Sequence, residues 1–318
     1  MIRLACLGEC MVELSDLADQ SRPGLMQRGF GGDTLNTAVY MARCLEGQPD
    51  ARVQYVTALG DDPLSAEMIA AWQDEGLDTG LVRRLEGYRP GLYMIRTDAS
   101  GERSFVYWRS AAAAREVMRA WSRAALRERL GDCDLLYFSG ISLGILDDCS
   151  RGELLALAGS LRQHGCAVAF DSNYRPALWG SSEVARDWMA KAYRVASVAL
   201  PSLADEQALF GDDDAEVTAA RLHSLGVEEI VVKNGAEACL VSGEGGQNWV
   251  TPALLGTPRD TTAAGDSFNA AYLAARALGK PPLEAARVGC DLAARVIQAP
   301  GAIVARAVFP GSKSGRGA

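Results

Sequence analysis

Residues 167–201, AVAFDSNYRPALWGSSEVARDWMAKAYRVASVALP, hold one full cycle of the pattern that decides the fold. An apolar run, Ala167–Asp171, passes into a polar loop. Ser182–Tyr193 then shows apolar residues every three or four positions, and a second short apolar run, Val198–Pro201, closes the unit. Short apolar runs bounded by turn residues read as strands buried on both faces, and a helix between two of them is the crossover that makes them parallel. The same alternation extends outward. Strands are expected at Arg3–Leu7, Val53–Ala58, Leu135–Ser139 and Glu229–Lys233. Helices are expected at Thr34–Leu45, Pro63–Glu75, Ser150–His164, Ala204–Phe210, Ala215–Leu225, Gly265–Leu278 and Leu283–Ile297, with Gly279 as a stop. The fold class is therefore α/β, with a mainly parallel sheet covered by helices.

One stretch departs from this rhythm. Residues 88–109, YRPGLYMIRTDASGERSFVYWR, read as two extended runs around the turn signal Asp98-Ala99-Ser100-Gly101, and Met11–Leu17 is a further extended run ahead of the Pro23-Gly24 turn. Together they predict a small second sheet, with strands from about 11–30 and 88–110. It is either a lid over a cleft or a decorative ribbon, and the pattern alone leaves both open.

The 318 residues carry 32 Lys and Arg against 40 Asp and Glu, a net charge of −8. That is the wrong sign for a protein that grips nucleic-acid phosphates. Only His164 and His223 are present, which excludes a His-rich zinc site. The cysteines Cys6, Cys10, Cys44, Cys133, Cys149, Cys166, Cys239 and Cys290 form no C-x-x-C pair and read as reduced core residues. The N-terminal MIRLACLGECMVEL lacks a cleavage site, and no 18-residue apolar run occurs, so a cytoplasmic chain with no membrane partner is expected. Residues 311–318 read as a flexible tail.

In open parallel sheets, ligands sit beyond the carboxyl ends of the strands. Three loops there are rich in glycine, amide and charge. In Gly29–Asn36, paired glycines precede a helix, and Asn36 can donate and accept hydrogen bonds as a polyhydroxylated ligand requires. In Asp260–Phe268, small residues lead into a helix whose first amides, at Ala264, Gly265 and Asp266, favour an anion, with the Asp266 carboxylate beside it. That is a phosphoryl-transfer arrangement, or else Asp266 is a first-turn acid that only stabilises its helix. In Asp171–Pro176, Arg175 offers a cation. Alternation along the hairpin puts Phe105, Tyr107 and Arg109 on one face, so Arg109 and Arg175 are a candidate cationic pair.

The segments GFGGDTLNTAVYMAR (29–43) and DTTAAGDSFNAAYLAA (260–275) resemble the two signatures of the ribokinase-like (PfkB) carbohydrate kinase family, and the resemblance covers nearly the whole chain. Within that family, GGDTLNTAV, ERSFVYWRSAAAAR (102–115) and FDSNYRPALW (170–179) are most similar to kinases of 2-keto-3-deoxygluconate. The resemblance implies a single kinase domain over 1–310 with a three-layer α/β/α core and a small β-sheet lid. It implies that Asp266 takes the proton of the substrate's terminal hydroxyl, with Ala263, Ala264 and Gly265 as the anion hole. It implies sugar contacts from Gly32, Asn36, Tyr93, Tyr107, Trp108, Arg109 and Arg175. ATP contacts would come from Asn173, Arg175, Lys233, Asn234, Gly235, Ala236 and Glu237 together with the anion hole. At its helix N-terminus the base is expected to hold a depressed pKa. Mg²⁺ would bridge ATP phosphates largely through water, near Asp205, and Asp260 and Thr262 match where relatives hold K⁺.

Two departures from the family pattern stand out. Ala263 replaces the usual glycine, so a left-handed backbone there would be strained. The family's Asn-x-x-Glu appears as Ser202-Leu203-Ala204-Asp205, with Glu206 adjacent. Three other readings compete. Gly140-Ile141-Ser142-Leu143-Gly144 matches the G-x-S-x-G nucleophile elbow, but Asp147, Asp148 and Ser150 place the next helix cap several residues too late, and His223 is its one realistic base. A fructokinase or other sugar kinase, and a non-catalytic sugar or nucleotide sensor on the same fold, complete the set. A homodimer through the lid strands is left open.

Overall fold

The computed structural model describes residues 1–16, 24–97, 103–253 and 255–306. The hairpin turn read at Asp98–Gly101, the end of the run at Leu17, Pro23 and the tail 311–318 lie outside the described residues. The strands are β1 (Ile2–Leu7), β2 (Met11–Asp16), β3 (Met26–Gly31), β4 (Ala51–Gly60), β5 (Val82–Leu85), β6 (Gly91–Thr97), β7 (Arg103–Trp108), β8 (Leu135–Ser139), β9 (Ala167–Asp171), β10 (Val198–Ala199), β11 (Glu229–Val232), β12 (Cys239–Gly243) and β13 (Gly246–Val250).

Nine strands form one sheet in the order β13-β12-β11-β10-β9-β8-β1-β4-β5. The run from β11 to β5 is parallel, while β12 and β13 pair antiparallel at one edge. Alternate residues of each central strand enter opposite cores. Leu136 and Phe138 of β8 pack with Val168 and Phe170 of β9 on one face, whereas Leu135 and Tyr137 pack with Ala169 on the other. This two-sided burial is why the central strands read as continuous apolar runs, and it makes the body a layered α/β structure.

The helices follow from their ends. Asp62, Asp147, Ser181, Ser202 and Asp214 each cap a helix by accepting a first-turn amide. Three expectations need correction. The edge strands β5 and β13 and the inner strand β12 are additional, because β5 and β13 are short or half-exposed and β12 carries only three apolar residues in a row before Ser242. Val198–Pro201 shortens to two paired residues, Val198–Ala199. A five-residue helix, Gly140–Gly144, follows β8 directly, so the argument from a late helix start fails. The hydrolase reading falls on other grounds: Ser142 is buried and its hydroxyl donates to the Leu7 carbonyl at 2.8 Å. His223 is held by Val227 O and Ser242 Oγ, both at 2.8 Å.

The smaller sheet has the order β3-β2-β6-β7, with β2 and β6 parallel and the outer pairs antiparallel. Met11, Tyr93 and Ile95 form its own small core. Phe105, Val106, Tyr107 and Trp108 on the edge strand β7 are about half exposed, between 45% and 54%. Among the described residues no helix is long and apolar enough to cross a membrane.

Candidate active site

The carboxyl ends of four central strands converge on one place. Asp171 ends β9, Lys233 follows β11, Glu9 lies two residues beyond β1, and Ser139 ends β8. Two helix starts meet them. The Asp33–Cys44 helix packs against the Ala264–Ala277 helix, and Asn36 Nδ2 donates to Asp266 Oδ2 at 2.8 Å. Thr37 Oγ1 donates to the Asp266 carbonyl at 3.3 Å. The two glycine-rich signatures, 230 residues apart, thus become one site.

A buried polar network surrounds Asp266. Lys233 Nζ donates to Asp171 Oδ2 at 2.9 Å and to Asn269 Oδ1 at 3.0 Å. Asn269 Nδ2 donates to the same Asp171 oxygen at 2.7 Å. Asn173 Nδ2 donates to Asp33 Oδ2 at 2.8 Å, and the Asn173 backbone sits at φ 32°. Burial, then the neighbouring Asp33 carboxylate, push the Asp266 carboxyl up to about 7. This corrects the expected depression: removal from water and like charge outweigh the Asn36 hydrogen bond and the Lys233 cation. Asp33 is raised in the same direction, chiefly by burial.

Ala263 caps the Ala264–Ala277 helix in the left-handed conformation, φ 59° and ψ 17°, as its place in the motif predicts. The Ala264 amide donates to Thr261 O at 3.2 Å, so it is already engaged. The amides of Gly265 and Asp266 fall in the first turn, where no intrahelical acceptor exists. A Cβ at Gly265 would lie 3.5 Å from Lys233 Nζ, so the ammonium stands close to this helix end. At Gly32 a Cβ would collide with the Glu9 carbonyl, which explains the glycine there by close approach.

Lys233, Asn234, Gly235, Ala236 and Glu237 line a slot of about 120 Å³ that also touches Ala264, Leu255, Phe268 and Ile297. Its apolar walls beside a helix N-terminus fit a flat heteroaromatic ring carrying phosphates. A divalent ion fits less closely defined donors. Glu206 is fully buried and engaged by Tyr193 Oη and Arg221, at 2.6 Å each. Asp205 is partly open, and burial, then Asp171, raise its pKa. Among the described residues no cluster of three ligating side chains exists. Asp260 accepts the amides of Thr262 at 2.9 Å and Gly301 at 2.8 Å, tying that turn to the expected cation loop.

The hairpin arginine is placed differently from expectation. Arg109 is ion-paired with Glu9, whose side chain is fully buried. Arg175 is half exposed, donating to Tyr174 O at 2.9 Å and standing 3.8 Å from Asp205. The two therefore share no partner, and only Arg109 lines the cavity of about 600 Å³ beside Tyr107 and Trp108. The Tyr93 hydroxyl donates to Glu13, and the Tyr93 ring lies 6.0 Å from that of Tyr107. Glu9, Glu13, Asp33, Asp171 and Asn269 were not read from the sequence as site residues. For Glu9 and Asp171 the available signal was position at a strand end.

This fold and these two helix ends define a carbohydrate kinase. Residues 1–307 match the pfkB family carbohydrate kinase model, and the chain belongs to that family. It is 46% identical over 313 residues to the 2-dehydro-3-deoxygluconokinase of Escherichia coli (strain K12), covering 97% of this chain and 99% of that one. It is 45% identical over 312 residues to the protein of the same name from Dickeya dadantii, covering 96% and 98%. An Escherichia coli protein solved in complex with ATP and Mg²⁺ superposes with a TM-score of 0.81 at 20% identity, covering 95% of this chain and 94% of that one.

Proposed function

We propose that this chain transfers the terminal phosphoryl group of ATP to the terminal hydroxyl of 2-keto-3-deoxygluconate (2-dehydro-3-deoxygluconate), giving 2-keto-3-deoxy-6-phosphogluconate. The observation that carries the chemistry is the partly buried Asp266 carboxyl, raised to about 7, oriented by Asn36 at the first turn of a helix. A base with a pKa near the working pH accepts the hydroxyl proton as the oxygen attacks. The first-turn amides at Gly265 and Asp266, with Ala263 setting the turn and Lys233 beside it, offset charge on the transferring group. Ala264 joins this anion hole once its bond to Thr261 gives way.

Gly32, Asn36, Tyr93, Tyr107 and Trp108 form the walls proposed for the sugar, with Arg109 and Arg175 as cations for its carboxylate. Asn173 and the Lys233–Glu237 segment are proposed to hold ATP, Arg175 reaching its phosphates. Mg²⁺, near Asp205, would neutralise phosphate charge. K⁺ beside Asp260 and Thr262 is the finer part of the proposal, supported by the convergence of Thr262 and Gly301 on one carboxylate. We further propose that residues 1–310 act as one domain with the small sheet as lid, and that the half-exposed edge strand β7 pairs with a second copy. The eight unpaired cysteines suit a reducing, cytoplasmic setting.

Relatives named for the sugar acid support the substrate, as does a cavity rich in arginine, for which a neutral ketose has no use. A coupled ADP-release assay over 2-keto-3-deoxygluconate, its C4 epimer, fructose, ribose and adenosine tests the reading. Turnover with the sugar acids is expected; ADP release with fructose alone would replace the sugar acid by a neutral ketose.

A further inference from the structure

The cavity beside β7 contains a guanidinium that the proposed site leaves unassigned. Four arginines line it: Arg89, Arg109, Arg115 and Arg151, and no carboxylate is among the described lining residues. Three have protein acceptors. Arg89 donates to Tyr88 O at 2.6 Å, Arg109 is paired with Glu9, and Arg151 donates to Leu143 O at 2.9 Å and Asp148 at 2.7 Å. Arg115 is half buried, yet among the described residues its side chain makes no hydrogen bond, ion pair or ring contact.

The chain places it there with some rigidity. Ala112 pairs with Arg89 and the Ala113 amide donates to Arg89 O at 2.9 Å. Ala113 and Ala114 are buried in the core with Val56 and Ala58. Residues 112–114 are thus a buried strap of small side chains, and it holds Arg109 before it and Arg115 directly after it, both lining the one cavity. Two further atoms in the same corner are buried without partners: Arg109 Nε, a donor, and Glu9 Oε1, an acceptor. A half-buried cation with no hydrogen-bonded acceptor among the described residues, acting on the Glu9 carboxylate only at longer range, beside one free donor and one free acceptor, matches a ligand bearing both an anionic group and a hydroxyl.

We infer that Arg115 is a specificity-determining residue that receives the carboxylate of the sugar acid, with Arg109 Nε sharing the anion and Glu9 Oε1 accepting a substrate hydroxyl. This rests on the proposed kinase reading and refines it, since it adds an inward cation to the pair read from the motifs. The side chain acts on ground-state recognition, so its loss falls on KM.

The test is steady-state kinetics of Arg115→Gln and Arg115→Lys with 2-keto-3-deoxygluconate, alongside calorimetric binding of the sugar acid and of its neutral C1 aldehyde analogue. Arg115→Gln should raise the KM and Kd for the acid by roughly ten- to a hundredfold, the worth of a charge-assisted hydrogen bond, with kcat and the KM for ATP within about twofold. Arg115→Lys, which keeps the charge and loses the fork, should recover part of that affinity and serves if the glutamine variant does not fold. An unchanged KM for the acid in either variant, or equal losses for the acid and its neutral analogue, would overturn the inference. A wild-type enzyme that leaves the sugar acid unphosphorylated would instead overturn the kinase reading.

Discussion

Replacing Asp266 by asparagine should move activity and stability in opposite directions. The Asp266 carboxyl is partly buried near Asp33 and Asp171, and these surroundings lift it from the ordinary 3.8 to about 7. Because its proton is held more tightly in the folded chain than in the unfolded one, stability is highest below the unfolded value and is lost as pH rises through the folded value. At about 1.4 kcal/mol for each tenfold in proton affinity, the part of that loss falling between pH 5 and pH 8 is roughly 3 kcal/mol. An asparagine is neutral throughout, and its amide oxygen still accepts from Asn36. Urea unfolding at the two pH values should therefore show Asp266→Asn gaining on wild type by about that amount from pH 5 to pH 8. ADP release by the same variant should fall on the order of a hundredfold or more, since no base receives the hydroxyl proton. Wild-type turnover itself should rise with pH through about 7 as the carboxyl ionises. A stability difference that stays flat within about 0.5 kcal/mol, or turnover near wild type, would refute the reasoning.

Arg109→Met should cost about 3–5 kcal/mol in thermal or urea unfolding, because it strands the buried Glu9 carboxylate; adding Glu9→Gln should return most of the loss, and independent, additive effects would contradict the pairing. Ala263→Gly should stabilise the fold by about 0.5–1 kcal/mol in urea unfolding by relieving the left-handed backbone at φ 59°; a destabilised variant would show that no strain is stored there.

Much of the architecture is legible in local sequence because its causes are local. The period of apolar residues in Ser182–Tyr193 and the capping residues Asp62, Ser181 and Ser202 place helices within a residue or two. The left-handed Ala263 likewise follows from its place between a turn and a helix. The edge strand β13 escapes because a half-exposed strand carries a weak pattern: Gly246–Asn248 are exposed, and Trp249 is 47% exposed; its buried neighbour β12 escapes because its apolar run stops after three residues, at Ser242. The short helix at Gly140–Gly144 escapes because two glycines are poor evidence for a helix that a Ser139–Ser142 capping box nonetheless holds.

The sequence by itself determined the α/β class, the family to which its two glycine-rich signatures belong, and Asp266 as the carboxylate to watch. Folding set the direction of that carboxylate's pKa, the pairing of Arg109 with Glu9 rather than with a shared anion beside Arg175, and the half-buried Arg115 guanidinium left without a hydrogen-bonded acceptor among the described residues. The physical reason is common to all three. Proton affinity and ion pairing are set by burial and by groups brought from distant strand ends, such as Asp33 and Asp171 around Asp266, and no window along the chain contains them together.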